Sequence, residues 1–211
     1  MNLVYINSAN GLSKAALETV TYAKKLGADV AVVTNGNAAA ELLATLGAYG
    51  ASTVLQDAGV DGQDPSQLVK LVAAAAAKVG ASTIIFSHDL IGKAVAPRLS
   101  VRLKAGLVAG AVALPEADGS TKVNVFSGKA FGFVKVNSAV RIISLLPNSI
   151  QPEQTGGNCS TEAFDSQAGS SAITIKATKK PEGAIPLPEA ELVVSAGRGL
   201  KGPEKWGMVE D

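Results

Sequence analysis

Cysteine, histidine and aromatic residues are scarce in this sequence, and each scarcity excludes a class of protein. One cysteine among 211 residues forms no internal disulfide and no cysteine-based metal site, and one histidine excludes metal motifs that need two. The balance of 19 basic and 18 acidic residues leaves a net charge of +1, without the electrostatic signature of nucleic-acid binding. Aromatics at 4% require a core of small aliphatic side chains.

Targeting and membrane signals are also missing from the sequence. The first residues, MNLVYINSANGLSK, have neither the basic region nor the long apolar run of a secretory signal. The longest apolar run, Leu71–Ala77, is far shorter than the roughly 20 residues that a bilayer-spanning helix needs. We therefore expect a soluble, bacterial-type cytoplasmic protein without membrane insertion.

The first hundred residues alternate between short apolar runs and longer segments with apolar residues three and four positions apart. The runs predict buried strands, and the segments, several with capping residues, predict helices. This alternation predicts right-handed βαβ units in a mostly parallel, Rossmann-like sheet covered by helices on both faces. The predicted strands are 2–7, 30–34, 53–56 and 83–87, and the predicted helices are 13–26, 38–46, 65–79 and 92–103.

The pattern changes after Leu107, where apolar or alternating segments follow one another without helices between them. They predict an antiparallel or mixed extension of the sheet. The polar stretch Pro147–Ser171 predicts a long surface loop, Ala172–Thr178 one more strand, and the proline-containing Lys179–Pro188 a linker. The strands predicted in the extension are 109–114, 123–126, 131–136 and 140–146.

The last twenty residues start a new pattern. Leu192–Ser195 predicts a buried strand, 196–199 a tight turn, and Lys201–Asp211 the start of a helix. A lone strand and part of one helix cannot bury their own apolar faces. We therefore expect an α/β domain over residues 1–187, and over 188–211 a linker and the first strand and turn of a truncated second domain.

Two side-chain groups have catalytic residue types. His88 and Asp89 follow a predicted strand at the carboxyl edge of the sheet, where ligand sites form in α/β proteins. They match either a general base with its orienting carboxylate or a polar pair that caps the next helix, and we favour the cap because no nucleophile is identifiable beside them. Cys159 has no nearby base in the sequence, which favours an ordinary loop cysteine.

Three glycine-containing segments are candidate anion-binding sites, and the sequence evidence for them differs in strength. The loop 8–11 (SANG) follows the first strand but matches no phosphate-binding motif, so a plain turn is the favoured interpretation. Helix 92–103 carries Lys93 and Arg98, whose spacing alone favours solvent-facing cations. The turn at 197–199 (GRG) combines glycines with an arginine whose planar fork fits phosphate; a tight turn with a solvent-facing arginine fits it equally well.

Three segments together resemble the alpha subunits of electron transfer flavoproteins. They are 92–103 (GKAVAPRLSVRL), 123–136 (VNVFSGKAFGFVKV) and 192–201 (LVVSAGRGLK), and their order and spacing agree with the family. The last is the most specific of the three, because the family opens its FAD domain with V-V-S-x-G-R-G-L.

The resemblance implies an electron carrier subunit and not an enzyme. It implies a heterodimer with a beta subunit and one FAD, which accepts electrons from flavoprotein dehydrogenases, such as the acyl-CoA dehydrogenases of fatty acid beta-oxidation. The electrons pass to a quinone oxidoreductase or another acceptor flavoprotein. It implies an adenine-nucleotide-hydrolase-like N-terminal domain that acts as scaffold and beta-subunit-binding surface, with no catalytic or metal-binding residues. Gly197, Arg198 and Gly199 are then cofactor-binding residues of an incomplete FAD site.

The sequence departs from this family in ways that bear on the cofactor. The resemblance implies that the given sequence contains only the start of an FAD domain, so we expect this chain not to retain FAD. Residues 107–110 lack the family's usual aspartate, Asn124 replaces an arginine, and 144–147 (SLLP) departs from T-x-R-P. Two alternatives stay open: a stand-alone nucleotide-binding domain of the universal-stress type, and a hydrolase that uses His88 and Asp89.

Overall fold

A computed structural model describes residues 1–8, 11–177, 187, 190 and 192–210. The chain divides into two compact units, Met1–Lys176 and Ala177–Asp211. Of the predicted linker Lys179–Pro188, all residues except Leu187 lie outside the described part of the chain.

The first unit is an α/β domain built on one nine-stranded sheet with helices on both faces. Its helices are α1 (Lys14–Lys25), α2 (Ala40–Ala48), α3 (Pro65–Val79) and α4 (Leu90–Leu103). Its strands are β1 (Asn2–Asn7), β2 (Val30–Asn35), β3 (Ala51–Asp57), β4 (Thr83–Ser87), β5 (Gly106–Ala111), β6 (Thr121–Val125), β7 (Ala130–Val134), β8 (Arg141–Leu145) and β9 (Ser160–Ala163).

The strand order is β7-β6-β5-β8-β4-β1-β2-β3-β9. In this spatial order, all neighbouring strands in the stretch β5-β8-β4-β1-β2-β3-β9 pair in parallel. Strand β6 pairs antiparallel with both β5 and β7. The predicted fold class, a mostly parallel Rossmann-like sheet with a mixed extension, is confirmed. Strands β1 and β4 are neighbours. After β1 the chain continues into α1 on one face of the sheet, and after β4 it continues into α4 on the opposite face.

The helix boundaries follow the capping residues that the sequence offers. Ser13 accepts a hydrogen bond from the N–H of Ala16 at the start of α1. Asp64 caps α3, which begins at Pro65 and ends at Gly80 in the left-handed conformation. Helix α4 begins at Leu90, two residues before the predicted start, because Asp89 caps it.

Two aliphatic layers enclose the sheet. On one face, α3 and α4 pack against side chains of β1, β2, β4 and β8. On the other face, α1 and α2 pack against the alternate side chains of the same strands, together with Val123 of β6. Each layer is dominated by alanine, valine, leucine and isoleucine, as the scarcity of aromatic residues requires.

The predicted surface loop 147–171 contains the ninth strand. It forms hydrogen bonds to α1 on one face of the sheet and to α3 on the other. We call residues 146–173 the strap. Its early part is bound to α1, since the N–H of Asn148 donates to Glu18 at 2.9 Å and that of Glu153 to Thr21 at 3.1 Å. It then passes so close over Gly47 that a Cβ there would collide with the strap backbone. Strand β9 adds to β3, and Ser166 bonds to Asp57.

The prediction of a strand at 172–178 is wrong, because residues 172–177 form no strand. Thr178 lies outside the described residues. The apolar alternation there (AITIKAT) indicates a strand, but its side chains stay largely exposed instead of joining the sheet edge. That edge is already occupied by β9, a polar segment (STEA) that no apolar pattern indicates. The hydrogen bonds of the strap therefore decide which segment pairs with β3.

The second unit contains short helical turns within its described residues. They are two 3-10 turns, Arg198–Leu200 and Pro203–Lys205, and the four-residue helix α5, Gly207–Glu210. The predicted buried strand Leu192–Ser195 is wrong, because these residues are exposed and belong to no strand. An isolated strand finds no stable conformation without partner strands, and the described residues of this unit offer none.

Candidate functional site

A buried polar network occupies the carboxyl ends of β1 and β2. It lies beside the boundary between β1 and β4, from which the following helices go to opposite faces of the sheet. The Tyr5 hydroxyl donates to Asn35 Oδ1 at 2.9 Å, and the Thr34 hydroxyl to Ser8 Oγ at 2.6 Å. Burial raises the pKa of Tyr5, so its hydroxyl keeps its proton and acts as a donor. Ser8 Oγ in turn donates to the carbonyl of Asn35 at 3.2 Å. These hydrogen bonds hold the strand ends together.

The loop after β1 is described at its two ends, Ser8 and Gly11. The N–H of Gly11 donates to the carbonyl of Ser8 at 3.1 Å, and Gly11 has φ +91°, a conformation that favours glycine. Ala9 and Asn10 lie outside the described residues. The favoured interpretation of this segment, a strand-to-helix turn, agrees with the Ser8 to Gly11 hydrogen bond.

His88 and Asp89 do not form a base and its orienting carboxylate. Asp89 Oδ1 accepts the N–H of Gly92 at 2.8 Å, so this carboxylate is the N-cap of α4. The favoured interpretation of Asp89 as a helix cap is confirmed. The His88 ring turns instead to Ser144 of β8, with 2.9 Å between Nδ1 and Oγ.

Ser144 and Gly110 are partners of His88 that the sequence pattern did not indicate. The N–H of Gly110 donates to Ser144 Oγ at 3.2 Å. Gly110 has φ +74° at a register shift between β5 and β8, and a Cβ there would lie 3.6 Å from His88 Nε2. A glycine inside a predicted strand is a signal for such an irregularity. The ring therefore packs on a bulge and ties β4, β8 and β5 together.

The histidine cluster is poorly arranged for nucleophilic catalysis. Ser144 is buried, with 2% of its surface exposed, so a substrate cannot reach its hydroxyl. Burial and the nearby Lys93 lower the pKa of His88, outweighing the opposite effect of Asp89. The neutral ring suits a structural hydrogen bond between strands.

Cys159 contacts backbone rather than any base. Its Sγ lies 3.3 Å from the carbonyl oxygen of Leu43 in α2, and the side chain packs at the margin of the core. This position explains Cys159 as a packing residue of the strap. Among the described residues, no group of three or more histidine, cysteine, aspartate or glutamate side chains is arranged to hold a metal ion.

The predicted FAD residues Gly197, Arg198 and Gly199 lie on the surface of the second unit. Arg198 begins a 3-10 turn, and a cavity of about 510 Å³ lies beside it. An added Cβ at Gly197 or Gly199 would meet no atom within 4 Å, so backbone there is open to approach. The cavity is lined by Ala196, Gly197, Arg198, Leu200, Lys201, Gly202, Pro203 and Trp206.

This donor set fits one part of FAD. Arg198 and Lys201 are cations beside exposed glycine backbone, which suits the diphosphate. Trp206 adds one aromatic face, with 41% of its surface exposed. The cavity is open and built from a single short segment, so its residues suit a phosphate group but form no enclosed pocket for the flavin ring.

The β6–β7 hairpin, most of which lies in the family-like segment 123–136, carries the largest aromatic surface that the structure exposes, an exposure that the residue pattern did not indicate. Val123 points into the α1–α2 layer, so the alternate side chains face the opposite side. There Phe131 is 56% exposed and Phe133 59% exposed. The ammonium of Lys122 lies 3.7 Å from the ring centroid of Phe131, a cation–π contact.

The turn of this hairpin adds a third exposed ring. Phe126 is 80% exposed and has φ +49°, a conformation that is costly for a bulky side chain. Ser127 and Gly128 follow with φ +55° and +85°. Strained backbone of this kind is retained mostly where the side chain it displays has a use.

Among the described residues, no helix combines the length and apolar character needed to cross a bilayer. The sequence profile of the electron transfer flavoprotein domain matches residues 2–177. The electron transfer flavoprotein subunit alpha of Bacillus subtilis is 29% identical over 134 residues, which cover 61% of this chain and 41% of that protein.

Two further relatives match nearly the whole chain. The probable mitochondrial electron transfer flavoprotein subunit alpha of Caenorhabditis elegans is 26% identical over 95% of this chain and 61% of its own length. The alpha subunit of Syntrophomonas wolfei is 27% identical over 98% of this chain and 68% of its own length. The chain thus spans between about two fifths and two thirds of these relatives, and it belongs to the electron transfer flavoprotein domain family.

Proposed function

We propose that this chain acts as the N-terminal part of an electron transfer flavoprotein alpha subunit. Its role is to bind a beta subunit and to help position a flavin domain. We propose that the electron transfer flavoprotein to which it contributes accepts electrons from flavoprotein dehydrogenases, such as acyl-CoA dehydrogenases, and passes them to a quinone oxidoreductase or another acceptor. FAD carries the redox chemistry, while the polypeptide supplies position and electrostatics.

The exposed rings of the β6–β7 hairpin are the observation that carries this proposal. Phe131 and Phe133 stand side by side on an open sheet face, and Phe126 projects from the adjoining turn. Contiguous exposed apolar surface of this kind marks protein–protein contact sites. The chain has only five phenylalanines, and three of them are placed here, outside the core. We propose that the beta subunit covers this surface.

The polar groups at the carboxyl edge of the sheet support a scaffold role. Asp89 caps a helix, His88 bonds between strands, and Ser144 is buried. Each group is used in holding the domain together, which favours an electron carrier subunit over a hydrolase.

We further propose that residues 188–211 contain the first contacts of the FAD domain. Arg198 and Lys201 would bind the diphosphate, next to the backbone of Gly197 and Gly199. We propose the domain boundary at residues 187 and 188, close to the division between Lys176 and Ala177. Because the cavity offers two cations and one aromatic face but no enclosed pocket for the flavin ring, we expect the 211-residue chain to purify without bound flavin.

Pairing with a beta subunit tests the proposal. The chain is mixed with the electron transfer flavoprotein beta subunit of the same organism, and the dissociation constant is measured by calorimetry. The variant F131S/F133S removes both rings. If each ring has about 200 Å² of surface, their exposed parts together amount to about 230 Å² of apolar surface. Even half-covered, that surface contributes about 3 kcal/mol, or more than about 100-fold in affinity.

The matched control is L90S/V101S, which removes two similarly exposed apolar side chains from α4. We expect this variant to pair like the wild type. Pairing that is unaffected by F131S/F133S contradicts the assignment of the hairpin, and no pairing of the wild-type chain contradicts the scaffold role.

A further inference from the structure

Helix α4 displays an apolar stripe to solvent on the side opposite its buried face. Val95, Ala96 and Leu99 are buried in the core, whereas Leu90 is 85% exposed and Val101 81% exposed. Eleven residues at 100° each bring Val101 within about 20° of Leu90 around the helix axis. The two side chains therefore lie on one line, about 16 Å apart along the axis.

Ala94 and Pro97 complete the stripe between these two ends. The four positions 90, 94, 97 and 101 are spaced by four, three and four residues, the spacing of the a and d positions of a coiled-coil seam. The small side chains in the middle allow a close approach of another backbone. Pro97 has no N–H, so the carbonyl of Lys93 lacks its usual hydrogen-bond partner four residues on.

The charged side chains of α4 that flank the stripe are all cationic, and the carboxylate of the N-cap Asp89 lies at its Leu90 end. Lys93 lies on one side, Arg98 and Arg102 lie on the other, and Lys104 is the C-cap. All four are exposed, and α4 contains no acidic residue. In a chain with 19 basic and 18 acidic residues, this is a strong local segregation of charge.

The groove beside Arg102 extends the cationic flank toward α3. A cavity of about 530 Å³ lies there, with Lys70 and Arg102 on its walls and Ser166 and Gln167 of the strap at its margin. Lys70 donates to the carbonyl of Ala168 at 2.8 Å, which holds its ammonium in place. A carboxylate that enters this groove meets two cations.

We propose that α4 is the docking face for an acidic amphipathic helix of another protein. Apolar side chains of that helix at a and d positions would pack on the stripe of Leu90, Ala94, Pro97 and Val101. Glutamates or aspartates at its e and g positions would pair with the cations on the flanks. Self-pairing of α4 with a second copy is disfavoured, because it would bring like charges together. The surface is separate from the hairpin proposed for the beta subunit.

The test uses peptides of defined chemistry with the full 211-residue chain. One three-heptad peptide has leucine at a and d and glutamate at e and g; its partner has lysine at e and g. We expect only the glutamate peptide to bind, with affinity that falls as salt rises from about 0.05 to about 0.3 M. R98Q/R102Q and L90S/V101S should each weaken it by about tenfold or more.

K24Q/K176Q, which removes two exposed cations outside α4, is the matched control and should bind the glutamate peptide as the wild type does. Amide hydrogen exchange of the wild-type chain gives a readout independent of any variant, with protection expected along α4.

Equal binding of both peptides, no binding at about 1 mM, or indifference to the α4 variants overturns the proposal. Binding of phosphatidylglycerol vesicles that needs the same residues, without peptide binding, overturns it in favour of a membrane surface. The beta-subunit measurement on the hairpin variants does not depend on either result.

Discussion

Glu18 gives the sharpest prediction about the stability of the domain. It lies in α1 with 1% of its surface exposed, and its Oε2 accepts the N–H of Asn148 in the strap at 2.9 Å. Its Oε1 has no hydrogen-bond partner among the described residues. Burial raises the pKa of Glu18 above its usual value of 4.5, while the Asn148 N–H and the charge of Lys14 act in the opposite direction.

The raised pKa fixes the sign of the pH dependence. The folded state holds the Glu18 proton to higher pH than the unfolded state, so folding is favoured by this group below about pH 4.5. That contribution is lost as the pH rises through the folded-state pKa. In E18Q the side chain stays neutral and still offers an oxygen to Asn148.

We therefore expect E18Q to be more stable than the wild type by about 1 kcal/mol at about pH 8, since a buried unpaired charge costs more than a buried unpaired amide. The difference should vanish below the unfolded-state pKa. The assay is urea unfolding followed by circular dichroism at several pH values. E116Q, at an exposed carboxylate, is the control. An unchanged pH slope in E18Q, or a less stable E18Q at about pH 8, would refute the reasoning.

Three further predictions concern the carboxyl edge of the sheet. We expect G92A to lower the free energy of unfolding by about 2–4 kcal/mol, measured by thermal unfolding, because its Cβ would collide with the Ser87 carbonyl. The control is G199A, where a Cβ meets no atom and stability should be unchanged. Equal melting temperatures for the two variants would contradict this prediction. H88A should lose about 1–2 kcal/mol of stability without affecting any turnover of generic ester or phosphate substrates; His88-dependent turnover would restore the hydrolase alternative. Calorimetric titration with AMP or ATP should show no binding tighter than about 1 mM, and tighter binding would favour a universal-stress-type domain.

The sequence was sufficient to predict the parts of the fold that local physical chemistry decides. Helix α3 runs from Pro65 to Val79 as predicted, because Asp64, Pro65 and Gly80 are strong boundary signals. The parallel order follows from continuous apolar strands separated by helices. The insertion of β8 between β4 and β5 is a long-range choice that no local pattern contains.

The failures have a common cause in side-chain interactions between distant segments. Polar β9 pairs with β3 through the strap, whose hydrogen bonds to α1 and to Asp57 join residues more than a hundred positions apart. The pairing of His88 with Ser144 likewise depends on long-range geometry that residue spacing does not contain. The exposed Phe131 and Phe133 occupy an alternating strand whose open face only the arrangement of layers reveals.

Hydrogen–deuterium exchange of the chain with and without the beta subunit tests the central proposal most directly. We expect strong protection on pairing within residues 121–134, which form the β6–β7 hairpin, while amides of α2 stay unchanged. Pairing that leaves the hairpin amides unprotected would contradict the assignment of this surface as the beta-subunit interface.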